Sequence, residues 1–391
     1  MKILVTDCSS RKALCVIRSL GKKGYEVIGV SHERVNMGRF SKYCSKFYKL
    51  PNPLIETNKF ISKLVVLIKG ENVDILVPME DETVELIIKN NSLFRNISTL
   101  LPSYETFMIA RDKRRTIEKA IEIGIPCPHT YFINDIREVS ELENEITYPT
   151  IVKARISSGS RGLVRVNDKK DLVKKYNEVH EEYKLPIIQQ YITGDYEKIQ
   201  VLLISDKNYK VKAICTYQGI REFPVDGGPV TMWKTTSFPE IEKKTIEFIE
   251  ELKWVGFAEV EYIVDKVTGD YYLMEVNPRF SANIALAVNI GIDFPLLYYK
   301  LAQNQNTEFI KNEKFNEYCQ WLLPGDLLNF VFNRDRFRQQ EVGYFCNKPK
   351  NIHYAILSKD DFFPVIGAIF SMIFNIVGSL KNLKSKLRSN K

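Results

Sequence analysis

No two cysteines in the chain have Cys-x-x-Cys spacing: the seven stand scattered at 8, 15, 44, 127, 215, 319 and 346. That excludes the usual zinc and disulfide frameworks. No secretory segment precedes Met1-Lys2-Ile3-Leu4, so the expected compartment is the reducing cytoplasm. The first strand-to-helix turn lacks the glycine fingerprint of a dinucleotide site, carrying Asp7-Cys8-Ser9-Ser10-Arg11 instead. The later glycine-rich loop lacks the closing Gly-Lys-Ser/Thr of a Walker motif. The net charge of +8 owes much to five Lys or Arg among the last eleven residues. A charged tail of this kind does not mark a nucleic-acid face, and no nucleic-acid partner is expected. What remains is a composition typical of globular proteins, in a chain of 391 residues that calls for two or three domains.

The most informative stretch is Phe257 to Phe280. Two β-rich runs flank Asp265-Lys266-Val267-Thr268-Gly269-Asp270, which predicts a hairpin. Period-two alternation puts Phe257, Glu259, Glu261 and Ile263 on one face with Tyr271, Leu273, Glu275 and Asn277 of the partner strand. Glu261 then faces Glu275, and Glu259 faces Asn277. Opposed carboxylates repel unless a cation compensates them. Two carboxylates and an amide suit Mg²⁺, which completes its shell with water and phosphate oxygens, and Arg279 offers a donor fork for phosphate. A solvent-facing hairpin whose carboxylates pair with lysines is the plainer alternative.

In chain order, Lys2–Thr6, a helix over about 12–21 and a strand over 25–30 form a βαβ unit. Its helix start could hold an acidic group, or could be an ordinary turn. Val73–Val77 predicts a buried strand, Glu80-Asp81-Glu82 opens a helix, and Leu100-Leu101 reads as the last strand before a boundary near 105. A basic helix runs from Ala110 to Ile123, stopped by Gly124. The strand bearing Lys153 leads into Ile156-Ser157-Ser158-Gly159-Ser160-Arg161-Gly162, where small residues let the backbone approach an anion, as they would in any glycine hairpin. Pro186–Ile192 reads as a strand ending at Thr193-Gly194-Asp195-Tyr196-Glu197, with a paired strand from Ile199 to Ser205; the join is an extended linker between lobes or a plain strand connection.

Assembled, these pieces resemble the ATP-grasp superfamily of carboxylate-amine ligases and carbamoyl-phosphate-synthase-like enzymes, over about residues 1–301. The resemblance rests on Asp112-Lys113 with Gly124-Ile125-Pro126, on Lys153 and its loop, on Gln189 to Gly194, on Glu261, and above all on Glu275-Val276-Asn277-Pro278-Arg279. It implies an α/β fold: a Rossmann-like doubly wound unit at 1–105, ATP-grasp lobes at 106–188 and 189–310, and a helical extension at 311–391. It implies ATP and two Mg²⁺ ions, with Mn²⁺ as a substitute. Lys113 and Lys153 match the lysines on the phosphates, and Ser158, Gly159, Ser160 and Gly162 match the flap. Gln190 and Ile192 match the adenine hinge, Glu261, Glu275 and Asn277 the metal ligands, and Arg279 the arginine that steadies the transferred phosphoryl group. Gln189 stands where many members carry Glu. The ribose acid usually falls two residues after the hinge glycine, where this chain has Tyr196, so the adjacent Glu197 is taken as its substitute.

An acyl phosphate made from ATP lets an amine attack a carboxyl carbon without any covalent nucleophile on the enzyme. The expected partners are therefore a small carboxylate and an amine; the alternatives are carbamoyl-phosphate-synthase-like phosphorylation of bicarbonate, and a non-catalytic ATP-binding scaffold at the membrane. Arg221, Gly227 and Gly228 are expected to recognise the acceptor; a surface salt bridge beside a turn is the alternative. The chain has neither a glutaminase segment nor a second copy of these motifs, which disfavours a complete carbamoyl-phosphate synthase. A further likeness, at Asp226-Gly227-Gly228-Pro229 and Gln320 to Leu328, associates the chain with surface-polysaccharide loci. Residues 362–380 carry no charge, and Gly367, Ser371, Asn375 and Ser379 recur every fourth position. With the basic tail, that pattern predicts a helix lying on the inner membrane face through 362–391, or one buried against a partner such as a second copy of the chain.

Overall fold

The computed structural model describes residues 1–372 apart from 160, 226, 339–341 and 346. The opening βαβ pattern forms as the alternation requires. β1 (Lys2–Val5), α1 (Arg11–Lys22) and β2 (Glu26–Ser31) start a parallel sheet that β3 (Lys46–Lys49) and β4 (Ile75–Val77) complete in the order β3-β2-β1-β4. α2 (Thr57–Glu71) and α3 (Asp81–Lys89) follow the third and fourth strands. Ser10 caps α1 through its hydroxyl, which accepts from the Ala13 N–H at 3.4 Å. The strand expected at Leu100-Leu101 is loop: only Ser98 bridges to Ile75, and the Leu100 N–H donates to the Tyr298 hydroxyl at 3.0 Å.

The basic helix expected from Ala110 is two helices, α4 (Tyr104–Arg111) and α5 (Lys113–Ile123). Asp112 breaks them because its extended backbone and carboxylate cap α5, accepting from the Arg114 N–H at 3.0 Å. Lys113 thereby becomes the first residue of a helix. A four-stranded antiparallel sheet follows, β5 (Thr130–Tyr131), β6 (Thr150–Lys153), β7 (Leu163–Val166) and β8 (Ile187–Gln190), ordered β5-β8-β6-β7. α6 (Glu138–Leu142) and α7 (Leu172–Glu182) pack against it through Val139, Leu172, Tyr176 and Val179.

The large sheet runs β13-β12-β9-β10-β11-β15-β16. Its strands are β9 (Tyr196–Ser205), β10 (Val211–Glu222), β11 (Val230–Thr236), β12 (Gly256–Asp265), β13 (Tyr271–Asn277), β15 (Tyr318–Gln320) and β16 (Ile352–Tyr354), with β14 (Ile310–Lys311) beside β10. One face is covered by α8 (Pro239–Glu251). On the other, α9 (Ile284–Ile290) and α10 (Phe294–Ala302) share a core with α1. The stretch expected to be a helical extension therefore supplies two strands, β15 and β16, before α11 (Leu327–Phe332) and a later helix are counted.

That later helix spans 364–372 within the described residues, and it lies on the N-terminal domain. A Cβ at Gly367 would stand 2.8 Å from the Asn36 carbonyl oxygen, and Val365 and Ala368 pack with Leu14 and Met37. The small-residue stripe thus begins as the seat for this contact, while Phe362, Phe363, Ile369 and Phe370 are exposed. Asn375 and Ser379 lie outside the described residues. Just before the helix, Asp361 is buried and accepts from Arg18 Nε at 2.9 Å, the Ser41 hydroxyl at 2.6 Å and the Lys42 N–H at 3.0 Å. Among the described residues no single helix is long and apolar enough to cross a membrane.

Candidate active site

The hairpin closes with the expected carboxylate pairing: Glu259 faces Asn277 and Glu261 faces Glu275. The simple alternation fails one step later. Tyr262 pairs with Leu273, so Met274 is an extra residue on β13, a bulge that turns Leu273 into the core beside Tyr262. The same bulge aims the Met274 carbonyl at Lys153, whose Nζ donates to it at 3.4 Å. Lys153 is buried, and its pKa is lowered to about 8 by that burial and by the neighbouring charge of Lys113.

Lys113, at the start of α5, reaches both the hairpin and the loop after β6. Its Nζ lies 3.1 Å from Glu275 Oε2 and donates to the Ser157 carbonyl at 3.2 Å. Burial alone would raise the Glu275 carboxyl, but Lys113 and Lys153 hold it below its ordinary value. At Glu261 the attraction of Lys198 and Arg279 is outweighed. Burial, with Glu275 and Glu259 alongside, pushes it up to about 8. The Asn277 amide N–H₂ donates to Glu261 at 2.8 Å and to Glu259 at 3.2 Å, while its oxygen accepts from Arg279 at 3.3 Å. Glu259 also accepts from the Ser281 hydroxyl at 2.6 Å.

Among the described residues no group of three His, Cys, Asp or Glu could hold an ion by itself. Two carboxylates and an amide oxygen nevertheless fit Mg²⁺, which takes one or two protein carboxylates and leaves the rest of its shell to water and phosphate. The excess of acid around Glu261 is what such an ion would relieve.

Arg279 is fixed from the N-terminal domain. Its Nε stands 3.0 Å from Asp81 Oδ2, and burial, which works against its charge, is outweighed by Asp81 and Glu80. Asp81 also receives Arg111 Nη1 at 3.1 Å, and Glu80 receives Lys12 Nζ at 2.7 Å. In the sequence, Glu80 and Asp81 read only as helix-dipole charges. Their place just beyond the C-terminal end of β4, where open α/β sheets gather ligands, was the signal that marked them.

The structure thus brings Lys113, Lys153, Glu261, Glu275, Asn277 and Arg279 together. In the loop after β6, Gly159 and Gly162 both adopt φ of 65°, and a Cβ at Gly162 would lie 2.8 Å from both the Ala154 Cβ and the Tyr183 ring. The Ser158 carbonyl and hydroxyl accept from Arg161 at 3.1 and 3.0 Å. Ser160 lies outside the described residues. Gln190 and Ile192 stand at the exit of β8, where the Gln190 N–H donates to the His129 carbonyl at 2.8 Å.

Two expectations are not met. Glu197 pairs with Val264, on the α8 side of the sheet with Tyr262 and Ile199, whereas Tyr196 and Lys198 share the carboxylate face. Glu197 therefore points away from the site, and Tyr196 holds the place facing it. Arg221 does clamp a carboxylate bidentately, but its own: Nε and Nη2 each lie 2.8 Å from Asp326, and Nη1 donates to the Val342 carbonyl at 3.0 Å. It is buried, and its fork is occupied by Asp326. Gly227 and Gly228 turn the chain between β10 and β11. There a Cβ at Gly228 would stand 2.2 Å from the Phe223 backbone.

Residues 112–309 match the family model for the carbamoyl-phosphate synthase L chain, ATP binding domain. The chain belongs to this ATP-grasp family. Its sequence is 23% identical over 362 residues to the carbamoyl phosphate synthase large chain of Sulfurisphaera tokodaii, covering 86% of this chain and 33% of that one. It is 23% identical over 176 residues to acetyl-CoA carboxylase of Dictyostelium discoideum, covering 44% of this chain and 8% of the relative. The chain thus spans a third or less of the length of these relatives. Among solved structures, biotin carboxylase from Campylobacter jejuni in complex with β,γ-ATP superposes with a TM-score of 0.68 at 18% identity, over 81% of this chain and 74% of that one. N5-carboxyaminoimidazole synthetase from Staphylococcus aureus does so at 0.63 and 14%, over 79% and 78%. These likenesses establish the mixed α/β ATP-grasp fold.

Proposed function

We propose that this ATP-grasp protein is an ATP- and Mg²⁺-dependent ligase that phosphorylates a small carboxylate and joins the resulting acyl group to an amine. The observation that carries the reading is the meeting of Lys113, Lys153 and Arg279 with Glu261, Glu275 and Asn277 around one hairpin end. Lys113 and Lys153 would bind the phosphates, the loop at 157–162 would cover them, and the connection at Gln190 to Ile192 would meet the adenine. Arg279, oriented by Asp81, would hold the transferred phosphoryl group. Glu261, Glu275 and Asn277 would hold magnesium, the Asn277 amide turning its oxygen inward. Such an ion supplies charge neutralisation on the phosphates.

Bicarbonate is the alternative acid. It is favoured by a fold neighbour, the biotin carboxylase domain of the Hydrogenobacter thermophilus 2-oxoglutarate carboxylase, solved with MgADP and bicarbonate at a TM-score of 0.65. The setting we favour is modification of a surface glycan or its precursor. The exposed Phe362, Phe363, Ile369 and Phe370 support contact with a membrane face.

The test is release of ADP and phosphate from MgATP across amino acids, uronic acids and bicarbonate, each with and without an amine. ADP and phosphate that appear only with one acid and one amine are the expected result. AMP and pyrophosphate would refute the acyl-phosphate mechanism. Replacing Glu275 by Gln should lower turnover by about 100-fold or more, as expected when a charge-stabilising group is lost, with the fold intact by circular dichroism. Undiminished turnover would refute the metal assignment.

A further inference from the structure

Arg11 opens α1, in a position that the nucleotide site does not use. Its guanidinium carbon lies 3.6 Å from the ring centroid of Trp321 and 5.6 Å from that of Trp233. Trp233 belongs to β11 and is 2% exposed, and Trp321 follows β15. Trp321 is closely packed: a Cβ on Gly325 would stand 2.3 Å from its ring, and its backbone N–H donates to the Thr231 carbonyl at 2.8 Å.

The unusual feature is what these groups lack. Arg18, Arg111, Arg155, Arg221 and Arg279 each meet a carboxylate. Among the described residues Arg11 makes neither an ion pair nor a hydrogen bond. Three donors in this cluster are buried without an acceptor: Arg11 Nη1, Trp233 Nε1 and Trp321 Nε1. Burying one such donor costs about 1–3 kcal/mol and an unpaired charge costs more, so three together mark a place shaped for an anion. Burial accordingly lowers the Arg11 pKa to about 9, with Cys319 and Glu80 opposing it.

The position is as informative as the chemistry. Lys12, the next residue, donates to Glu80, and Glu80 Oε2 stands 4.0 Å from Arg279 Nε. A chain of charged contacts therefore leads from the start of α1 to the arginine assigned to the phosphoryl group. Arg11 also lies where the start of α1 meets β11 and the residue that follows β15.

We propose that Arg11, with the indole N–H groups of Trp233 and Trp321, binds a carboxylate group of the small-molecule substrate. The proposal rests on the ligase reading and names the residues that select its acid. The planar fork of Arg11 suits bidentate capture of a carboxylate, and the flanking indoles favour a substrate with an apolar or sugar-ring face beside the acid.

The chain has three tryptophans, two of them at this site, so its own fluorescence reports binding. Purified full chain is titrated with a panel of amino acids, uronic acids and other small carboxylates, and separately with inorganic phosphate. Variants Arg11→Gln, Arg11→Lys and Trp321→Phe are titrated in parallel, and ADP affinity is measured for each. A saturable emission change with at least one carboxylate is expected. Its apparent Kd should rise about 10- to 100-fold in Arg11→Gln, the loss expected for a charge-assisted hydrogen-bonded pair, and less in Arg11→Lys, with ADP affinity unchanged. An unaltered Kd in Arg11→Gln, or no response to any carboxylate, would overturn the proposal. Tighter binding of phosphate than of every carboxylate would overturn the carboxylate assignment. If Arg11→Gln does not fold, Arg11→Lys and Trp321→Phe decide by the same criterion. Because no turnover is required, binding at Arg11 without ADP release would defeat only the ligase reading, and ADP release with unchanged anion binding would defeat only this one.

Discussion

Lys153 shows how one side chain can carry both the design of the site and a measurable signature. Its buried ammonium donates to the bulged Met274 carbonyl, and its pKa is lowered to about 8 by burial and by Lys113. A nucleotide phosphate beside it would restore the charged form. ADP binding in EDTA at about pH 8.5 should therefore be accompanied by proton uptake, while at pH 6.5 Lys153 is already protonated and contributes none. Calorimetry in two buffers of different ionisation enthalpy measures this, and Lys153→Met should reduce the uptake to the share that Glu261, itself pushed up to about 8, contributes. The lysine itself was legible in the sequence, as was the Glu261 and Glu275 pairing, because a period of two fixes both. Its partner was not. A bulge adds one residue without changing the hydrophobic pattern around it, so Leu273 was assigned to the wrong face.

At the scale of elements, the pairing of β12 with β13 up to Glu261 was legible from local alternation, whereas contacts that depend on a distant segment were not. Arg221 has the fork of a substrate clamp, and nothing nearby announces that Asp326, 105 positions on, will fill it. That pair fastens the start of α11 to the β10–β11 hairpin, with Thr231 donating to the same carboxylate at 2.9 Å. Arg221→Ala leaves Asp326 buried and unpaired, and should cost about 3–5 kcal/mol in urea unfolding. Replacing Arg221 and Asp326 together by apolar residues of similar volume should recover most of it. Substrate KM should move little in that double variant, which a substrate-binding arginine would not allow. Glu197 failed for a comparable reason: sequence adjacency placed it near the hinge, but adjacent strand residues face opposite ways.

Across the whole molecule, the N-terminal domain is held by the segment that precedes the last described helix. Arg18 and Asp361 are buried together, and Arg18 Nη2 also donates to the Asp361 carbonyl at 2.6 Å. Asp361→Ala should destabilise the protein by about 3–5 kcal/mol, since it strands a buried guanidinium, and Asp361→Asn should cost less. Urea midpoints for the two variants check this. Neither the tie nor the seat of Gly367 on Asn36 could be read from sequence. A stripe of small residues looks the same whether a membrane, a second chain or the protein's own first domain lies against it.

The Arg18 and Asp361 tie also bears on the order in which the molecule is made. Arg18 leaves the ribosome 343 residues before the carboxylate that neutralises it. For nearly the whole of synthesis, the first domain carries a cation with no partner at a place destined for burial. The contacts of Arg18, Ser41 and Lys42 with Asp361 can form only after almost all of the described chain has emerged. The nascent N-terminal domain is thus left open to its neighbours for longer than its early position in the chain suggests.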